Sequence, residues 1–307
     1  MNEKVVILGG RERGLYLIEK FLKNNMPIHG FIVMKDDDHE IVWADKIIKI
    51  LRDNSIPYKL GKSFKSPELY NFIEIIKPNL ILVENWRTII PHDIISSVNN
   101  VVVFHESLLP KYRGFAPLVW PIINGEKETG VSMFFISEKV DAGDIIDQKK
   151  ISISDSDTSY DLFLKTYEVY WDLIHNNLPK LLAGKAHASE QDESNATYAC
   201  MRTPDDGKIN WERNTVDIYN FIRALAPPFM PGAFCIYNNL KIIIKKAEIK
   251  QNVPTFIGRI PGRIVEINRN YVSVLTGDGV LNIKTVIYDN ISYNANEILN
   301  KIKLKLL

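Results

Sequence analysis

The sequence of 307 residues is 46% hydrophobic and 24% charged, and its 38 lysines and arginines nearly balance 37 aspartates and glutamates. This composition is typical of a globular chain that forms one large domain or two ordinary ones. The near-zero net charge excludes an overall field that would attract nucleic acid or an anionic membrane. From residue 200 onward, however, 15 basic side chains stand against 9 acidic ones, which any argument about a partner must take into account.

Cysteine content and the amino-terminal segment indicate the compartment. Cys200 and Cys235 are too few for a disulfide framework or a zinc site. The first ten residues contain only one short apolar stretch, which predicts a strand and not a signal peptide. We expect a cytoplasmic protein that binds no metal and crosses no membrane.

Up to about residue 105, short apolar runs alternate with helical patterns. This alternation predicts a Rossmann-like α/β fold, a mostly parallel sheet with helices on both faces. The runs that end near Asn85 and His105 are almost wholly apolar, as buried parallel strands are. Because ligands bind beyond the carboxyl ends of such strands, we expect Asn85 and His105 to lie at one crevice.

The rest of the chain changes in character after Asp141. A strand and then a helix ending near Leu182 are predicted, followed by the polar, non-periodic residues 183–200, which indicate a linker. Beyond it, short strands separated by Gly, Asn and Asp turns predict a small OB-like β-barrel over residues 201–307. The predicted domains are therefore residues 1–182 and 201–307.

The glycines of "GGRERG", residues 9–14, do not form a dinucleotide-binding fingerprint. Counted from Gly9, arginine stands at the position of the second glycine, and counted from Gly10, glutamate does. We therefore expect no nicotinamide dinucleotide.

The stretch "FHESLLPKYRGFAP", residues 104–117, concentrates reactive side chains behind a predicted strand. Pro110 requires a turn soon after His105, since proline cannot extend a central strand. Further on, Asp141 lies in a glycine-containing loop between two strand-like runs. A carboxylate beside an imidazole fixes its tautomer and prepares it as a general base, so we predict a His105–Asp141 pair.

Residues 105–145, from "HESLLP" to "DAGDI", resemble the signature of formyltransferases that use 10-formyltetrahydrofolate. These comprise methionyl-tRNA formyltransferase, glycinamide ribonucleotide formyltransferase and the sugar N-formyltransferases. "RTPDDGKINW" and "PGAF" resemble the carboxyl-terminal barrel shared by the tRNA enzyme and several sugar enzymes. The resemblance implies that N10-formyltetrahydrofolate is the co-substrate and that residues 1–182 are catalytic. It implies folate contacts at Ser107, Leu108, Leu109, Pro110, Asp141, Gly143 and Asp144.

One position departs from the family pattern, which pairs Asn-x-His on one strand with a later Asp. His105 and Asp141 match, but Val103 stands where the asparagine is expected. An aliphatic side chain cannot donate a hydrogen bond to the formyl oxygen, so another donor has replaced it, or the chain is slow or inactive. We hypothesise that Asn85 supplies the amide; alternatively, Asn85 only ends its strand.

The nature of the acceptor amine remains open between sugars and tRNA. The tRNA enzyme carries a basic insertion after the second strand, whereas here Asp36, Asp37, Asp38 and Glu40 would repel phosphates. The segment around Trp120 resembles the sugar enzymes. We therefore expect a nucleotide-diphosphate amino sugar, with the amine at carbon three or four, used for surface polysaccharide, and no nucleic-acid partner. Methionyl-tRNA formylation and an inactive folate- or sugar-nucleotide-binding relative are the alternatives.

Cations and aromatic side chains near the predicted site are candidates for holding the sugar nucleotide, since cations bind diphosphates and aromatic rings stack on bases and sugars. For the two in the second domain, packing between domains is the alternative. Resemblance to the sugar enzymes also implies a homodimer. The candidates are Trp86, Arg87, Lys111, Tyr112, Arg113, Tyr219 and Arg223.

Overall fold

The computed structural model describes residues 3–37, 41–302 and 304–307, so Asp38 and Glu40 of the acidic segment lie outside the described residues. Contacts divide the chain into two compact units. The first comprises residues 1–113, 130–150 and 165–198, and the second comprises 114–129, 151–164 and 199–307. No helix of the described part is long and apolar enough to cross a bilayer.

The strands and helices are numbered in chain order. The strands are β1 Val5–Gly9, β2 Gly30–Met34, β3 Tyr58–Gly61, β4 Leu80–Val83, β5 Asn100–His105, β6 Arg113–Gly114, β7 Glu128–Phe135, β8 Ile145–Ser152, β9 Tyr198–Ala199, β10 Ala233–Tyr237, β11 Leu240–Ile249, β12 Ile264–Ile267, β13 Val272–Leu275, β14 Val280–Tyr288 and β15 Ile291–Asn294. The α-helices are α1 Arg11–Lys23, α2 Ala44–Asp53, α3 Pro67–Ile76, α4 His92–Ser97, α5 Trp120–Ile123, α6 Ser159–Leu182, α7 Thr215–Ala224 and α8 Ala295–Ile298, and two 3₁₀ turns cover Glu193–Asn195 and Pro204–Gly207.

The larger sheet has seven strands in the order β3-β2-β1-β4-β5-β7-β8. β1 to β5 are parallel, and β7 runs antiparallel to β5. Helices α3 and α4 cover one face, where Phe72 and Ile94 join a core with Val101. On the other face α6 packs on β5, since Tyr170 stacks on Phe104 at 4.8 Å. These contacts confirm the predicted mostly parallel α/β sheet with helices on both faces.

The turn after β5 is held by β7. Ser132 of β7, which pairs with His105, accepts a hydrogen bond from Leu109 N at 3.0 Å and donates one to Ser107 O at 2.6 Å. Pro110 lies within the turn of residues 109–112, as the sequence predicts. The chain therefore leaves the sheet immediately beyond His105 along one fixed path.

The second unit contains an antiparallel sheet in the order β10-β11-β14-β13-β12, with β15 paired to β14. Residues beyond β15 link its two edges. Leu307 N donates to Ile236 O at 2.9 Å, and Leu306 N donates to Gly262 O at 2.8 Å. The predicted carboxyl-terminal β domain is confirmed, and the segment of residues 304–307 joins β10 to the start of β12.

The segment predicted as a linker is ordered over much of its length. Ser189 exchanges two backbone hydrogen bonds with Ile145, at 2.8 and 2.9 Å, and β9 pairs with β6. Residues up to 198 group with the first unit. Polar residues held by hydrogen bonds leave no hydrophobic period in a sequence, which is why the pattern indicated a linker. That one domain ends at residue 182 and the next begins at residue 201 stays a prediction.

Candidate active site

His105 is the last residue of β5, and the residue is 6% exposed. Its Nε2 lies 2.7 Å from the carbonyl oxygen of Tyr112. A carbonyl only accepts hydrogen bonds, so Nε2 carries the proton and a neutral ring leaves the lone pair on Nδ1. Nδ1 faces Asp141, whose Oδ2 lies at 3.5 Å. The predicted pair is therefore close in space, with the basic nitrogen on the carboxylate side.

The separation of 3.5 Å between Nδ1 and Oδ2 is too long for a direct hydrogen bond. An amine beside both atoms gives a proton to Nδ1, and the carboxylate then stabilises the imidazolium that forms. Among the described residues, no group of three His, Cys, Asp or Glu side chains is arranged to hold a metal ion. The arrangement is that of a general base with an anionic neighbour.

The loop that carries Asp141 is fixed by its backbone. Asp141 itself has a left-handed φ of 51°. A Cβ on Gly143 would lie 1.7 Å from Phe135 O, so only glycine fits there. The side-chain amide of Gln191 donates to Asp141 O at 2.9 Å and to Gly143 O at 2.7 Å. Gln191 thus holds the carboxylate loop from a segment that the sequence indicated as a linker.

Arg113 supports Gln191 in turn. Its buried guanidinium donates to Gln191 Oε1 at 2.8 Å, to both carboxylate oxygens of Glu193 and to Tyr198 Oη at 3.1 Å. The hydrogen bond from Arg113 lowers the pKa of Glu193. These bonds favour a supporting role for Arg113 over the diphosphate contact expected from the sequence. Sequence reasoning missed Gln191 because an isolated glutamine in a polar stretch gives no signal.

The residues expected to contact folate form the turn after β5 and the Asp141 loop. Ser107 Oγ donates to Lys111 O at 2.6 Å, and Gln148 Nε2 donates to Leu109 O at 2.9 Å. Asp144 is exposed, and its carbonyl accepts from Phe135 N at 3.0 Å. The hydrogen bonds hold the backbone of these residues in place. Folate contact at these positions stays a prediction.

Val103 lies on β5, and Asn85 follows the adjacent strand β4, as predicted. Val103 pairs with Val83 in the parallel register of β4 and β5. Asn85 and His105 each stand two residues further along their strand direction, so both lie at the same edge of the sheet. Asn85 has a φ of 52° and is partly buried, and its amide makes no hydrogen bond with the described residues. This placement supports Asn85 as the replacement donor, which stays a hypothesis.

The remaining candidates of the first unit differ in exposure. Trp86 packs against Phe64 with ring centroids 5.7 Å apart, and its Nε1 makes no hydrogen bond with the described residues. Arg87 is exposed and lies 3.1 Å from Asp37. Lys111 is exposed, whereas Tyr112 is partly buried with its backbone N bonded to Thr197 Oγ1 at 2.8 Å.

Tyr219 and Arg223 lie on α7 in the second unit. Arg223 is 7% exposed, and its Nη1 donates to the carbonyls of Ser154 at 3.1 Å and Asp157 at 2.6 Å. Its Nε donates to Asn220 Oδ1 at 2.9 Å. Burial lowers the pKa of Arg223. These partners all lie in the second unit, so nucleotide contact and packing between domains both stay predictions.

Comparison with known proteins gives matches over almost the whole chain. Residues 4–175 match the family described as formyl transferase, and residues 202–303 match the formyl transferase carboxyl-terminal domain. The methionyl-tRNA formyltransferase of Malacoplasma penetrans (strain HF-2) is 32% identical over 290 residues, which cover 93% of this chain and 89% of that protein.

Solved structures show the same fold. An N-formyltransferase from Helicobacter canadensis, in complex with folinic acid and dTDP-3-aminofucose, has a TM-score of 0.70 and 23% identity, covering 92% of this chain and 99% of that one. HypX from Aquifex aeolicus, in complex with tetrahydrofolic acid, has a TM-score of 0.68 and 17% identity over 98% of this chain. The chain spans about half the length of HypX, 48%.

Along the chain, the match to the formyl transferase family precedes the match to the formyl transferase carboxyl-terminal domain. Formyl transferases of this family take their formyl group from N10-formyltetrahydrofolate, the donor expected from the sequence. Together with the 32% identity to a curated member, these matches identify the chain as a member of the formyl transferase family.

Proposed function

We propose that the chain transfers the formyl group of N10-formyltetrahydrofolate to the primary amine of a nucleotide-linked 3- or 4-amino-deoxysugar. The observation that carries the chemistry is the placement of His105 Nδ1 beside Asp141, which provides a base for an attacking amine. The choice of a sugar rests on the charge of the segment after β2. Its described residues directly after β2 are Lys35, Asp36 and Asp37, and Asp37 pairs with Lys62 and Arg87. This part therefore lacks the surplus of cations that tRNA phosphates need.

In the proposed reaction, the neutral amine attacks the formyl carbon and forms a new carbon–nitrogen bond. The amine proton passes to His105 Nδ1, while Nε2 keeps its hydrogen bond to the Tyr112 carbonyl. Asp141 stabilises the imidazolium, and the Asn85 amide donates to the negatively charged formyl oxygen. The bond between the formyl carbon and folate N10 then breaks, and the imidazolium returns its proton to N10.

The proposed acceptor belongs to surface-polysaccharide synthesis by resemblance to the sugar enzymes. The same resemblance supports a homodimer. Sedimentation velocity of the purified chain at micromolar concentration measures the oligomer directly, and a single monomeric species would contradict a stable dimer.

Methionyl-tRNA formylation is the second candidate. It is favoured by the identity to the Malacoplasma penetrans enzyme and by the basic excess after residue 200. Both reactions use the same amine chemistry at His105, so the site alone does not separate them. The acceptor must be tested directly.

The experiment measures formyl transfer from N10-formyltetrahydrofolate to a panel of nucleotide-linked 3- and 4-amino-6-deoxysugars, with methionylated initiator tRNA in parallel. We expect turnover on one sugar and its loss in His105→Asn. Turnover on tRNA alone would overturn the sugar proposal. Folate binding without turnover on any acceptor would identify an inactive binding relative.

A further inference from the structure

A buried charge cluster lies beside the ends of β4 and β5, on the face that α1 and α6 cover. Arg13 of α1 donates from Nε to Glu84 Oε1 at 2.7 Å and from Nη2 to Glu106 Oε1. Its Nη1 donates to Thr166 Oγ1 at 2.9 Å, and the hydroxyl of Tyr170 donates to Glu106 Oε1 at 3.0 Å. The cluster comprises Arg13, Glu84, Glu106, Thr166 and Tyr170.

Stability alone is a weak reason for this cluster. Arg13 is 3% exposed and Glu84 is 1% exposed, so their charges lose hydration when the chain folds. Buried ion pairs of this kind often stabilise a protein no more than apolar residues of similar volume do. Two carboxylates also share one guanidinium, and Glu84 Oε2 has no side-chain partner among the described residues. Such an arrangement calls for a role beyond packing.

Two members of the cluster are sequence neighbours of the candidate catalytic residues. Glu84 immediately precedes Asn85, and Glu106 immediately follows His105. Alternation along β5 directs Phe104 towards α6 and His105 towards the opposite face. The planar guanidinium of Arg13 thus binds Glu84 and Glu106 on the face of the sheet opposite the His105 side chain. This bridge fixes the ends of β4 and β5 relative to each other.

The cluster keeps Glu106 charged. Burial by itself would raise the pKa of Glu106, but the positive charge of Arg13 and the hydrogen bonds from Arg13 and Tyr170 outweigh it and lower that pKa. Glu106 therefore remains ionised and binds Arg13 as an anion. Burial raises the pKa of Glu84, partly against the effect of Arg13.

We propose that Arg13 is a positioning residue for formyl transfer: by bridging Glu84 and Glu106, it sets Asn85 against His105. The inference rests on the proposed formyl transfer but not on the identity of the acceptor.

Arg13→Lys tests the positioning role, because lysine keeps the charge but cannot bridge two carboxylates with a planar fork. We expect kcat to fall by about tenfold to a hundredfold, as small displacements at a reacting centre do, with both KM values within about threefold of the wild type. The matched control is Lys20→Met, which removes another α1–α6 ion pair, 3.2 Å from Glu168. It should leave kcat within about twofold. Assays run well below the unfolding temperature of each variant, and unchanged kcat in a folded Arg13→Lys would overturn the proposal.

Glu106→Gln tests the bridge from the His105 side, since glutamine keeps an acceptor oxygen for Tyr170 but loses the charge that binds Arg13. We expect kcat to fall with KM unchanged. An unchanged kcat in a folded Glu106→Gln would overturn the bridge. Should Arg13→Lys fail to fold, Glu84→Gln replaces it: removing this charge weakens the contact to Arg13 next to Asn85, and kcat should fall with KM unchanged.

A readout without turnover separates this inference from the proposed function. The ¹⁵N resonances of the His105 imidazole report the hydrogen bond from Nε2 to Tyr112 O. We expect the Nε2 resonance to shift in Arg13→Lys and in Glu106→Gln, with no change in Lys20→Met. A wild type that transfers formyl to no acceptor would overturn the proposed function, whereas resonances unchanged in both cluster variants would overturn the inference.

Discussion

At the scale of single residues, the site combines a matched base with a missing oxyanion donor. The sequence predicted His105 and Asp141 from their neighbours, and the structure places them together. It also predicted that Val103 leaves the formyl oxygen without the amide expected of this family. Asn85 follows β4, two residues beyond Val83, the register partner of Val103. The hypothesis of a replacement donor therefore has its first test at Asn85.

Asn85→Ala tests the replacement directly. Removing one oxyanion donor typically lowers kcat by about a hundredfold, and we expect this loss with little change in KM. The double variant Asn85→Ala/Val103→Asn restores an amide at the family position and should recover part of the lost rate. Steady-state kinetics at saturating donor measure both, and a fully active, folded Asn85→Ala would show that Asn85 is not the donor.

Gln191 carries the second prediction at this scale. In Gln191→Ala, the carbonyls of Asp141 and Gly143 and the guanidinium of Arg113 lose their shared partner, so the carboxylate loop becomes less ordered. We expect kcat to fall by about tenfold, because orientation of the catalytic carboxylate is lost. The exposed neighbour Glu190→Ala is the control, and equal kinetics in the two variants would exclude a role for Gln191.

At the scale of elements, hydrophobic period predicted the helices and strands that bury an apolar face. The β8 strand and the end of α6 lie where the sequence placed them. Elements held by polar bonds gave no such signal: β9 and the turn Glu193–Asn195 lie in the predicted linker. The hydrogen bonds from Arg223 to the carbonyls of Ser154 and Asp157 likewise gave no signal in the sequence.

Asp278 caps the amino-terminal end of α7 from a turn that is distant in the sequence, which predicts a contribution to stability. Its carboxylate accepts from Thr215 N at 2.8 Å and Thr215 Oγ1 at 2.7 Å, whereas Asn214 makes no side-chain cap. Asp278→Ala should lower the free energy of unfolding by about 1 kcal/mol. The exposed Asp205→Ala should change it by less than about 0.5 kcal/mol.

The same carboxylate predicts a pH dependence. Burial raises the pKa of Asp278, but the hydrogen bonds from Thr215 outweigh burial and lower it. Its stabilisation is therefore present above the unfolded pKa of about 4 and is lost as pH falls through the lower folded value. Urea unfolding of wild type and Asp278→Ala between pH 7 and pH 2 measures this, and a difference that stays constant over that range would contradict the linkage.

At the scale of the whole molecule, the order of strand and helix patterns along the chain predicted the fold class. It did not predict which residues far apart in the sequence pair with each other. Alternating strands and helices followed by short strands predicted an α/β sheet and a β domain, and both are present. Nothing in the sequence predicted that residues 304–307 join β10 to the start of β12, because pairing across some seventy residues depends on the packed structure and not on local pattern. The same holds for Arg13, which meets Glu84 and Glu106 only after folding.

The closing segment makes the last prediction. Leu306 is fully buried between the two edges that it joins, whereas Leu307, next to it, is 57% exposed. Leu306→Ala should therefore lower the free energy of unfolding by about 2 to 4 kcal/mol, through lost burial and the cavity left behind. Leu307→Ala keeps the same backbone bonds and should change it by less than about 0.5 kcal/mol. Urea titrations of the two variants measure these losses in the free energy of unfolding. Equal losses in Leu306→Ala and Leu307→Ala would contradict the prediction, because only Leu306 buries its side chain between the two edges of the sheet.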